Sequence, residues 1–130
     1  MHNETGNIYT HLIPAFYMIY QLILLNRNEG PYAEYTTDQS YWTTTISAVV
    51  ILICMTLSSI YHTYNPISQG VYLLLYRMDL IGIGIMIFGL TICSCFLGFH
   101  NWPTQRDIIT SVMLFLLCGN LIIQMTPCYA

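Results

Sequence analysis

The chain carries only four histidines, three basic and six acidic side chains in 130 residues, so each can be weighed by its spacing. Ser58 and His62 stand four apart and share one face of any helix that holds both, a single turn between them. Neutral imidazole is a common zinc ligand. Asp79 opens the next apolar run. A carboxylate facing His62 could ligate a metal, hold a water or act as a general base. Asn7 and His11 repeat the spacing of four near the N-terminus, with Glu4 just before them. Plain structural roles compete at every position. His62 can be an interfacial side chain, and Ser58 can bond back to its own i−4 carbonyl. Asp79 can cap a helix or pair with Arg77, and Asn7 and His11 can cap and pack the first helix. His2 and His100 have no ordered polar company and read as surface residues.

The elements that must position these groups follow from composition. Charged residues make up 7% of the chain, where soluble domains run near ~25%. Apolar residues make up 55%, and mean hydropathy is +0.57. These values exclude a soluble globular enzyme, a disordered tail and a basic nucleic-acid binder. The net charge of −3 comes from too few groups to imply a charged partner.

The charges fall in four groups, around Glu4, Arg27 to Asp38, Arg77 to Asp79, and Arg106 to Asp107. Between and after them lie runs long enough to cross ~30 Å of hydrocarbon as helices of roughly 20 residues. The expected fold is an all-α membrane protein, a single domain over residues 1–130 with transmembrane helices at about 8–25, 42–62, 73–99 and 108–126. Asn65-Pro66 ends the second. Tyr9, Tyr41, Trp42, Tyr61, Tyr72, Tyr76, Phe99 and Trp102 gather near the proposed ends as an interfacial belt.

Counting crossings puts Glu4, Asn7, His11, Ser58, His62 and Asp79 on one side of the membrane, with the acidic loop, His100 and Arg106 on the other. His62 then ends the second helix, where the dipole favours a cation or metal, and Asp79 sits in the first turn of the third, where it favours an anion. Each of the three loops has one Arg, so charge does not orient the chain. The first span has no basic n-region and is not read as a secretory signal. Cys54, Cys93, Cys95, Cys118 and Cys128 read as small packing residues, with Cys93 and Cys95 on different faces. Gly82, Gly84 and Gly89 are expected to let helices approach closely.

Three segments carry a resemblance. His2-Asn3-Glu4-Thr5-Gly6-Asn7-Ile8-Tyr9-Thr10-His11-Leu12, Ser58-Ser59-Ile60-Tyr61-His62-Thr63 and Arg77-Met78-Asp79-Leu80-Ile81-Gly82-Ile83 resemble the three signatures of the progestin and adipoQ receptor family. That family includes the adiponectin receptors and the haemolysin III-related proteins. The wording around Tyr9 and Pro14 is most similar to fungal members implicated in zinc homeostasis.

The resemblance implies a seven-helix bundle, of which this chain corresponds to helices one to four, with the N-terminus cytosolic. It implies zinc near the cytosolic face, held by three His. His62 matches one of them, Asp79 matches the Asp that holds the zinc-bound water, and Ser58 matches the Ser one turn before the first His. Glu4, Asn7 and His11 match the first signature without an assigned role. Similarity to alkaline ceramidases implies hydrolysis of ceramide-type amides, or signalling tied to lipid and metal homeostasis. Membrane lipids, sphingolipids among them, are the implied partners, and nucleic acid is not.

This sequence departs from the family in one respect. The other two ligands come from an H-x-x-x-H pair, and the only histidines here are His2, His11, His62 and His100. A catalytic zinc takes three protein ligands. The expectation is therefore a truncated receptor-like protein that is inactive alone and needs a missing C-terminal half or a full-length relative. The rival expectation is a non-enzymatic membrane subunit that assembles with full-length relatives and regulates them. A channel or transporter subunit is the weaker third, because no inverted repeat is visible.

Overall fold

The computed structural model describes residues 4–33 and 38–126. Four α-helices lie among the described residues: α1 (Thr5–Arg27), α2 (Asp38–Tyr64), α3 (Gln69–Gly98) and α4 (Pro103–Met125). A short 3-10 turn at Gly30–Tyr32 follows α1, and there is no strand among the described residues. All four helices are long and apolar enough to cross a membrane. His2, Glu34 and Cys128 lie outside the described residues.

The helices start earlier than hydropathy places the spans, because hydropathy reports only the stretch that belongs in hydrocarbon. α3 has 30 residues and is about 45 Å long, well beyond the ~30 Å apolar layer. Its start is set by Ser68, whose hydroxyl accepts from the Val71 N–H at 3.3 Å as an N-cap. Pro103 opens α4, where its missing N–H costs nothing. α2 stops at Tyr64, ahead of Asn65-Pro66, as the sequence implies. α1 ends on Asn28 in the left-handed region (φ 52°), a conformation that asparagine tolerates.

Sequential helices are neighbours, with α2 against both α1 and α3, and α4 docked on α3. The closest approaches run along the glycines of α3. A Cβ at Gly89 would lie 2.8 Å from Val50 Cγ1, and one at Gly84 would lie 3.0 Å from Asn120 Oδ1. Small side chains at these points substitute van der Waals packing for the hydrophobic effect, which does not act between helices in lipid.

Burial is concentrated on α2 and α3. Ala48, Cys54, Ser58 and Ser59 are covered on one, and Asp79, Cys93 and Cys95 on the other. Cys93 and Cys95 are both buried although they sit two apart, because α3 is flanked by α2 and by α4. α1 buries Ala15 and Leu25, and α4 buries no residue. The outward faces are apolar, with Phe115 77% and Ile122 67% exposed, which is the surface lipid requires.

Candidate functional site

The start of α1 meets the end of α2, and the first polar cluster forms there. Glu4 precedes the first turn of α1, and its Oε2 lies 3.0 Å from His62 Nδ1. Asn7 Nδ2 donates to the same oxygen at 2.6 Å. One turn further on, His11 Nδ1 lies 2.6 Å from the Asn7 carbonyl, and Thr10 Oγ1 donates to that carbonyl at 3.0 Å. The His11 and His62 ring centroids are 5.5 Å apart. Glu4, Asn7, His11 and His62 are therefore one connected group rather than two helix-end pairs.

His62 sits in the last turn of α2, as expected, beside the ring of Tyr61 at 4.8 Å. Tyr61 in turn meets Tyr72 and Tyr76, which stack at 6.0 Å with 4° between their planes. Part of the anticipated aromatic belt is thus a packed wall beside the histidine.

Ser58 is buried one turn before His62. Its neighbours follow the back-bonding habit of hydroxyls in membrane helices. Ser59 Oγ donates to the Met55 carbonyl at 2.8 Å, and Thr63 Oγ1 donates to that of Ser59 at 2.7 Å. Ser58 forms no such bond, so its hydroxyl is not used up by its own helix.

Asp79 requires a correction. It does not sit in the first turn of its helix. It lies ten residues after Gln69, about 15 Å along the axis, beyond the reach of the terminal dipole. It caps nothing, since Ser68 does that. It does not pair with Arg77 either. Residues two apart on a helix face different ways. Arg77 lines a cavity of about 290 Å³ with Tyr72, Tyr76 and Ile123, between α3 and α4. Asp79 is buried, within electrostatic reach of Cys54 and Tyr61 on α2. Its Oδ1 has no hydrogen-bond partner.

The carboxylate bonded to His62 is that of Glu4, 58 residues away in sequence. Sequence reasoning placed Glu4 on the correct side and missed this role. The available signal was the spacing of three from Glu4 to Asn7 combined with the parity of crossings. His100 is exposed, in keeping with a surface residue.

The donor types fit zinc as far as they go: an imidazole with one nitrogen engaged by a carboxylate, and a buried carboxylate oxygen without a partner. Among the described residues, no three His, Cys, Asp or Glu side chains gather into a set that could hold a metal ion.

Together the fold and the cluster define a class, a multi-pass helical membrane protein with a histidine–carboxylate group at one end of its bundle. The profile of the haemolysin-III related family matches residues 1–130, and the chain belongs to that family. It is 27% identical over 128 residues to progestin and adipoQ receptor-like protein 1 of Caenorhabditis elegans, a match covering 96% of this chain and 28% of that protein. It is 28% identical over 101 residues to the ADIPOR-like receptor IZH2 of Saccharomyces cerevisiae, covering 78% and 32% respectively. The chain spans about a third or less of the length of these curated relatives.

Proposed function

We propose that these 130 residues supply the first part of a zinc site in a receptor-like membrane protein that hydrolyses an amide bond in a lipid of the ceramide class. One observation carries the reading: a carboxylate oxygen of Asp79 is buried in an apolar chain with no partner. Such a group is costly unless something else satisfies it.

In this reading His62 offers Nε2 as a ligand, since Nδ1 is engaged by Glu4. Asp79 holds a water in place and takes its proton, and the Ser58 hydroxyl is a further hydrogen-bonding group one turn from the histidine. Zinc, when bound, supplies Lewis acidity that makes water nucleophilic near neutral pH. The remaining ligands, a pair of histidines four apart, come from outside these residues. The N-terminus and the site lie at the cytosolic face.

Zinc content tests this. The 130-residue chain alone is expected to hold well under one zinc per chain, and His62→Ala to leave that value unchanged. A chimaera in which residues 1–130 replace the matched region of the yeast relative is expected to hold one zinc per chain, lost on His62→Ala. Stoichiometric, His62-dependent zinc in the chain alone overturns the view that ligands come from elsewhere. A zinc-free chimaera that folds overturns the zinc reading itself.

A second reading is favoured by the outer helix. α4 buries no residue, and Phe115 and Ile122 on it are 77% and 67% exposed. A non-enzymatic subunit would seat these against helices of a full-length relative. Co-purification with a tagged relative that survives detergent exchange would support this role, and a chain recovered only as monomer counts against it.

A further inference from the structure

The first signature motif has no role in the hydrolytic reading, yet its side chains touch His62. We propose that Glu4 is the positioning residue for His62: its carboxylate takes the Nδ1–H and leaves Nε2 as the nitrogen with a lone pair for a metal. This rests on the reading of His62 as a ligand.

Glu4 Oε2 is 3.0 Å from His62 Nδ1, and an ionised carboxylate can only accept there. The proton must therefore be on Nδ1, and in the neutral ring Nε2 is then unprotonated. Metal-bound histidines nearly always have their other nitrogen tied in this way, which fixes both tautomer and ring orientation. Glu4 is itself held. Asn7 Nδ2 donates to the same oxygen at 2.6 Å, so the carboxylate is braced from within α1. The side chains are partly shielded, His62 17% and Glu4 26% exposed.

His11 supplies a comparison within the molecule. Its Nδ1 lies 2.6 Å from a backbone carbonyl of its own helix, which fixes the same tautomer without Glu4. Aqueous imidazole favours the opposite, Nε2–H form, so an Nδ1–H ring marks a constraint imposed by the protein.

The test is the tautomer of His62 in the metal-free chain. Histidine nitrogens are labelled with nitrogen-15 in detergent micelles, at a pH where imidazole is neutral, and assigned by difference from His62→Ala. His62 is expected as Nδ1–H in the native chain. In Glu4→Gln, which keeps an uncharged acceptor, that form is expected to remain the majority. In Glu4→Ala the Nε2–H form takes over, while His11 stays unchanged. A native His62 that carries hydrogen on Nε2 overturns the proposal before any variant is made. So does a folded Glu4→Ala chain with His62 still in the Nδ1–H form. If Glu4→Ala does not fold, the native spectrum and that of the near-isosteric Glu4→Gln decide the matter.

A second readout belongs to the chimaera described above, where Glu4→Ala is expected to weaken zinc binding about 10–100-fold. The tautomer is read without metal. A chimaera that binds no zinc therefore sinks the hydrolytic reading while leaving the His62 result standing, and a wrong tautomer sinks the role of Glu4 alone.

Discussion

At the scale of single residues, Asp79 is under the greatest energetic tension. A buried carboxylate oxygen without a partner destabilises the fold that contains it, by ~1–3 kcal/mol in the usual range for an unsatisfied group. Asp79→Asn removes the charge with almost no change in shape. The variant is expected to raise the thermal unfolding midpoint of the 130-residue chain in detergent, followed by circular dichroism. A midpoint that falls would mean that the carboxylate already has a stabilising partner within the chain. If the proposed hydrolytic role holds, the same substitution in the chimaera is expected to abolish amide hydrolysis, because Asp79 is the group proposed to hold the water and take its proton. The residue scale is also where reading from sequence stopped short. The spacing of Ser58 and His62 and the parity of crossings place six polar residues on one side from the sequence alone. They did not reveal that Glu4, rather than Asp79, bonds His62. That contact spans 58 residues and depends on how far α1 is rotated against α2, which no local pattern encodes.

At the scale of elements, four apolar runs separated by charge clusters were enough to give four helices, because a chain in lipid has few alternatives to hydrogen-bonding with itself. Helix ends were less legible. Ser68 and Pro103 start α3 and α4 outside the apolar stretch, and this shift turned a supposed first-turn Asp79 into an interior one. The glycines on α3 were read correctly as approach points, and they can be ranked. At Gly89 an added Cβ would meet Val50 Cγ1 at 2.8 Å, and the β-branched valine has little rotamer freedom to move aside. Gly89→Ala is therefore expected to cost about 1–3 kcal/mol as overpacking. Val50→Ala added to it should recover part of the loss. Gly98 has nothing within 4 Å, so Gly98→Ala at the end of the same helix is expected to be neutral or slightly stabilising. Equal effects at the two positions, measured by thermal unfolding, would remove the case for a tight α2–α3 seam.

At the scale of the whole molecule, the helices form an open series rather than a closed bundle, and stability is distributed accordingly. α2 and α3 hold most of the buried residues, α1 adds two, and α4 adds none. The polar cluster follows the same division. Glu4, Asn7 and His11 belong to α1 and His62 to α2, so the cluster rests on the α1–α2 contact. α4 contributes to a different feature, supplying Ile123 and Gln124 to the cavity that Arg77 lines. Removing α4 should therefore open that cavity and uncover Gly84, now 3.0 Å from the oxygen of Asn120 by the measure of an added Cβ, without disturbing the histidines. A chain ending at residue 102 is expected to keep a cooperative unfolding transition and an unchanged His62 nitrogen-15 signature. Its helical signal should fall only by the share of α4. A larger loss of helix, or a shifted His62 signal, would show that α4 braces the site through α3. The open series would then have to be treated as one cooperative unit, with the cluster depending on every helix in it.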